Sequence, residues 1–115
     1  MARAAWAALP LLLATLAGCG GGAAGGPAPA KTNTVNLPPS YLFSPSVIQV
    51  TAGTTVTWTN NDNFSHSVLV NGSNDAKIMK PGEQAQITFS QPGTYDYVCT
   101  FHTQNMKGRV IVTSA

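Results

Sequence analysis

The chain has 115 residues, of which 43% are hydrophobic and only 9% charged; six Lys and Arg stand against four Asp and Glu, a formal net charge of +2. This length holds one domain at most. The few basic residues form no concentrated run, which excludes a face for binding nucleic acid.

The chain opens with Met1 to Ala8, which carries one charge, Arg3, and no residue from Ala4 to Leu16 is charged. That apolar run is too short to span a bilayer as a mature helix, and it ends in small residues, the pattern of a secretory signal. Its last residues, Leu16-Ala17-Gly18-Cys19, resemble the bacterial lipobox. The resemblance implies a signal peptide over residues 1–18, and lipidation of Cys19 as the new N-terminus. It also implies a membrane anchor in the bacterial cell envelope, facing the periplasm or the cell surface. The alternative is an ordinary signal peptide with a cysteine beside its cleavage site.

Residues 19–31 contain no large apolar side chain. Such a stretch cannot bury enough surface to offset its backbone entropy, so a flexible Gly/Ala/Pro tether is expected. One acyl chain anchors weakly, whereas a multiply acylated cysteine holds a tethered domain stably. The domain proper is expected over residues 32–115, about 80 residues, a size that folds alone around a modest core. Without Arg3 the charges are Lys31, Lys77, Lys80, Lys107 and Arg109 against Asp62, Asp75, Glu83 and Asp96, so the mature chain is nearly neutral. With Cys19 given to lipid, Cys99 has no disulfide partner. An unpaired thiol in an exported protein calls for an explanation, and a metal supplies one.

Within the domain, polar and apolar residues alternate at Thr55-Val56-Thr57-Trp58-Thr59, which directs Val56 and Trp58 to one side. The same period recurs from Ala85 to Phe89. Further strands are predicted at Ser46 to Val50, His66 to Val70, Thr94 to Cys99 and Arg109 to Val112, with a weaker one from Val35 to Leu37. Turn signals separate them: Ala52-Gly53, Asn60 to Asn63, Asn71-Gly72, Pro81-Gly82 and Pro92-Gly93. Short strands at this spacing indicate an all-β sandwich or barrel. Trp58, Phe89 and Tyr95 are expected in its core, with Met79 as a gap-filler. Phe64 and Phe101 suit either the core or an apolar collar around the site described next.

Cys99, His102 and Met106 follow one another as Cys-x-x-His-x-x-x-Met, and His66, the other histidine of the chain, lies upstream. A thiolate, two imidazoles and a thioether are the ligands of a blue-copper electron-transfer site. Cys99 closes a strand in which Tyr95, Tyr97 and Cys99 share one face. His102 and Met106 project from the irregular loop that follows, and His66 begins a neighbouring strand. A sheet that fixes the separation of strand and loop makes a workable cage.

The stretches Phe43 to Asn60, Pro92 to His102 and Met106 to Val110 resemble the two halves of a small bacterial cupredoxin of the plastocyanin–amicyanin group. The resemblance covers essentially the whole domain. It implies a Greek-key β-sandwich of about eight strands with one type 1 copper. By motif position, His66, Cys99 and His102 are the strong ligands and Met106 the weak axial one. It also implies a monomeric, non-enzymatic carrier of single electrons between redox proteins. Three details depart from the group's pattern. The spacing from His102 to Met106 is that of azurins, and Phe101 replaces a frequent proline. Ser67 stands where many members have an asparagine bonded across to the ligand loop, so weaker support of that loop is expected.

Rival readings explain less. Structural zinc normally recruits four Cys or His ligands, and the mature domain offers three. A copper oxidase or nitrite reductase needs a further histidine cluster, and a cysteine nucleophile needs an orienting third group and a cleft. A copper delivery or storage protein is the strongest alternative, but such proteins advertise several methionines or histidines, and here only Met79 and Met106 remain. An adhesion sandwich would account for the strands but not for the ligand order.

Overall fold

A computed structural model describes residues 28–115, so the expected signal segment, Cys19 and most of the tether lie outside the described residues. Among the described residues there are nine strands. In chain order they are β1 (Ala30–Lys31), β2 (Thr34–Leu37), β3 (Val47–Thr51), β4 (Thr54–Asn60), β5 (His66–Val70), β6 (Lys77–Met79), β7 (Gln84–Phe89), β8 (Gly93–Val98) and β9 (Lys107–Thr113). They form a six-stranded sheet in the order β1-β3-β9-β8-β5-β6 and a three-stranded sheet in the order β2-β4-β7. The result is the expected all-β two-sheet sandwich.

Two strands were not foreseen in the sequence. β6 has three residues, and its apolar Ile78 points outward at 59% exposure while Met79 is buried, so its alternation is too short to register as a period. β1 takes the last two residues expected in the tether, Ala30 and Lys31, and pairs them in parallel with Ile48 and Gln49 of β3. Its strand character comes from a neighbour's unpaired edge, not from its own side chains.

The alternation read from β4 is realised: Val56 and Trp58 are fully buried while the threonines between them face outward. Trp58, Phe89 and Met79 lie in the core as expected, together with Leu37, Ile48 and Val110. Tyr95 is only partly buried, because its hydroxyl turns outward to donate to the Gln91 carbonyl at 2.8 Å. Tyr97 packs edge-on against Trp58, 5.2 Å between ring centroids, and against Phe43 at 4.8 Å. Opposite Tyr97 in the β8–β9 register sits Gly108, and a Cβ there would meet the Tyr97 ring. A glycine is needed so that the tyrosine can lie flat across the neighbouring strand.

The register also sets the poles of the sandwich. β8 runs antiparallel to β9, with Val98 opposite Lys107, so both the end of β8 and the start of β9 lie at one end of the sheet. His66, the first residue of β5, follows the loop that leaves β4 at the same end. Strand ends and connecting loops therefore converge there.

Candidate metal centre

At that pole the structure brings together His66, Cys99 and His102, whose nearest ligand atoms all lie within 4.8 Å of one another. Cys99 Sγ is 3.8 Å from His66 Nδ1 and 3.9 Å from His102 Nδ1. For a trigonal ion with bonds of ~2.3 Å to sulfur and ~2.05 Å to nitrogen, the sulfur and each nitrogen sit about 3.8 Å apart. The sulfur therefore already stands at the distance from each nitrogen that one metal ion requires. Cys99 and His66 are fully buried, and the His102 side belongs to a half-buried residue that reaches the surface.

The loop from Cys99 to Met106 is held by backbone bonds. The His102 amide donates to the Cys99 carbonyl at 3.1 Å, and the Met106 amide to the His102 carbonyl at 2.9 Å. The Cys99 amide closes the loop on the Met106 carbonyl at 3.0 Å. Each turn fixes one ligand, so three donors share a short, self-closed segment. Met106 is fully buried and joins the same apolar cluster as Cys99.

His66 is fixed differently. Its Nε2 lies 2.7 Å from Asp62 Oδ2, and Asp62 is itself buried. A buried carboxylate accepts the Nε2 proton, which leaves the Nδ1 lone pair directed toward the sulfur. That hydrogen bond from His66 holds the Asp62 carboxyl below the usual carboxylate value; burial opposes the shift and the Asn63 amide adds to it. Asn60, also fully buried, pins the whole turn. Its Nδ2 donates to the carbonyls of Phe64 (2.8 Å) and Met79 (3.0 Å), and its Oδ1 accepts from the Asp62 amide at 2.9 Å.

Ser67 makes the bond across to the ligand loop: its Oγ accepts from the Thr100 amide at 2.7 Å and lies 2.7 Å from Thr100 Oγ1. The Ser67 amide also donates to Cys99 Sγ at 3.4 Å. β5 and the loop approach closely enough that a short side chain spans the gap.

The two phenylalanines left open by the sequence lie outside the core: Phe64 is 56% and Phe101 51% exposed. Phe64 stacks on Tyr41, from the loop between β2 and β3, and Tyr41 meets both histidines, so these rings and Phe101, beside His102 in the chain, make an apolar collar. No spacing in the sequence ties that loop to the histidines. Asp62 was likewise visible only as a charge, since a carboxylate four residues before a histidine has meaning in a helix and none in a turn.

Cys99, His66 and Asp62 also stand in the order of nucleophile, base and orienting acid. Full burial of both Cys99 and His66 keeps any substrate from the sulfur. The donor set instead suits copper: soft thiolate, two neutral imidazoles and a thioether are typical of a type 1 centre.

The sequence profile of the cupredoxin-like domain family matches residues 7–112. The chain belongs to that family. Amicyanin-alpha of Methylorubrum extorquens is 35% identical over 91 residues, covering 74% of this chain and 75% of the relative. Plastocyanin of Scenedesmus fuscus is 33% identical over 86 residues, 64% of this chain and 88% of the relative. Among solved structures, a purple cupredoxin from Nitrosopumilus maritimus superposes with a TM-score of 0.65 at 26% identity, covering 71% of this chain and all of that one.

Proposed function

We infer that this cupredoxin is a non-enzymatic carrier of single electrons, with one copper ion held by His66, Cys99 and His102 and weakly by Met106. The observation that carries the reading is the buried Cys99 sulfur facing two Nδ1 atoms at 3.8 and 3.9 Å. Copper bound there supplies the interchange between Cu(I) and Cu(II). The protein's residues do the rest. Asp62 and Asn60 set the His66 ring, the loop turns set the His102 backbone, and burial of Cys99 and Met106 excludes water. A cage whose donors are placed beforehand need rearrange little when an electron arrives.

The partners that fit are other redox proteins. The half-buried His102 sits among Tyr41, Phe64 and Phe101, all exposed. An apolar collar on a nearly neutral domain suits brief, weak docking. Tethering to the cell envelope through a lipidated Cys19 is the further part of this reading, supported by the Leu16-Ala17-Gly18-Cys19 motif and the small residues behind it.

Adding Cu(II) to the purified domain is expected to give an intense visible band from thiolate-to-copper charge transfer, and Cys99→Ser is expected to abolish it. An unchanged band in Cys99→Ser would refute the ligand assignment. Transfer of copper itself to an acceptor, without measurable electron exchange, would instead establish a delivery protein. For the tether, mass spectrometry of envelope-extracted protein should find an acylated N-terminal Cys19, and an unmodified Cys19 in an exported form would overturn it.

A further inference from the structure

The two imidazoles of the site are not held alike. His66 is fully buried and its Nε2 is bound by Asp62. His102 is half-buried, and among the described residues no group hydrogen-bonds its Nε2. The turns of its loop fix its backbone but leave the ring free to rotate about the side-chain bonds.

One side chain touches both rings. Tyr41 lies edge-on to His102, 4.8 Å between centroids and 66° between planes, and edge-on to His66 at 5.9 Å and 86°. The imidazoles are 5.5 Å from each other, so the three rings close a triangle. Phe64 stacks on Tyr41 at 5.9 Å and 23°, which steadies it from another direction. Edge-to-face contacts of this kind have a preferred geometry, unlike a general apolar contact.

Tyr41 also has φ of 55°, where the other residues of positive φ among those described are glycines. A bulky residue in the left-handed region is uncommon, and such strain persists where the surroundings impose it, often beside functional sites. Core packing gives no reason for it, since Tyr41 is 41% exposed. A glycine would serve the turn better; the ring's contacts with the two histidines and with Phe64 are what favour a tyrosine.

We propose that Tyr41 is a positioning residue that holds the His102 imidazole in its ligating orientation beside His66. The proposal rests on the copper reading for its purpose, but its geometric content concerns the rings alone. Without Tyr41 the His102 ring swings toward solvent and Nδ1 leaves the sulfur, opening the cage on its exposed side.

Tyr41→Ala and Tyr41→Phe test this with and without copper. In the copper-free domain, labelling by diethyl pyrocarbonate, located by peptide mass spectrometry, reads how freely the His102 ring is presented, with buried His66 as the internal reference. Tyr41→Ala should label His102 several times faster than the parent, and Tyr41→Phe at the parent's rate. In the copper-loaded domain, competition with a chelator should show affinity lowered roughly tenfold in Tyr41→Ala, the scale of losing a group that orients a ligand. Tyr41→Phe should restore both the affinity and the visible band. Parent-like labelling in Tyr41→Ala would overturn the proposal, and so would a Tyr41→Phe variant as impaired as Tyr41→Ala. Failure of the parent to take up copper would overturn the copper reading instead, and the labelling result would still decide the role of Tyr41.

Discussion

At the scale of single residues, the contact that most shapes the site is the one between Asp62 and His66. A carboxylate enclosed by protein remains charged only where it is paired, and the Asp62 carboxyl is held down by the hydrogen bond to the imidazole Nε2 at 2.7 Å. Its negative charge acts in turn through the ring on the metal, favouring Cu(II) over Cu(I). Asp62→Asn keeps the shape and removes the charge. Voltammetry of the copper-loaded variant should therefore give a raised reduction potential, and chelator competition an affinity lowered by roughly tenfold. A potential equal to the parent's would show that the carboxylate only fills space. None of this was legible beforehand. Cys99, His102 and Met106 announce themselves by local spacing, but Asp62 depends on a turn whose path is set by the buried Asn60. Tyr41 depends on a loop that returns to the site from another part of the chain.

At the scale of elements, the site is a joint between β5 and the loop after β8, and Ser67 is its cross-tie. Ser67→Ala removes the acceptor for the Thr100 amide in a part-buried setting. The expected loss is about 1–3 kcal/mol of stability, the cost of leaving such a donor without a partner. Denaturant unfolding of the copper-free domain would measure it, with no change expected if water replaces the hydroxyl. The β8–β9 pair makes a second demand. Gly108→Ala would press a methyl group into the Tyr97 ring, which is boxed in by Trp58 and Phe43. Overpacking there should cost about 1–3 kcal/mol in the same measurement. Strands with their own alternation, β4 and β7 above all, were readable within a residue or two. β1 and β6 were not, because two or three residues carry no period and acquire strand form only by pairing with β3 and β5. The fold class needed no more than turn spacing and alternation, whereas the division into six and three strands depends on pairings between distant segments.

For the whole molecule, alkaline stability should be limited by the Tyr97 hydroxyl. Burial pushes its pKa up from 10.0 to about 12, with the Trp58 indole working against that shift. In the unfolded chain the phenol loses its proton near pH 10, while in the folded protein it keeps it until about 12. Between these values the folded state binds more protons than the unfolded state, so stability falls as pH rises across that window. Chemical denaturation at several pH values should show this slope, and Tyr97→Phe should flatten it. The arrangement of strands carries one more consequence, for how the molecule is presented to its surroundings. β1 runs parallel to β3, and β3 parallel to β9. β9 starts where the ligand loop ends, so all three strands point away from the copper pole. β1 thus begins on the side of His102, and β9 ends at Thr113 on the far side. An anchor at Cys19 would join the folded domain nearer its working end, so that within the reach of a flexible tether this end would stay closer to donors or acceptors seated in the bilayer. Moving the same anchor behind Ala115 would shift the attachment to the opposite end of the sandwich. The two constructions should then rank oppositely in their rates with a bilayer-embedded partner and with a freely diffusing one.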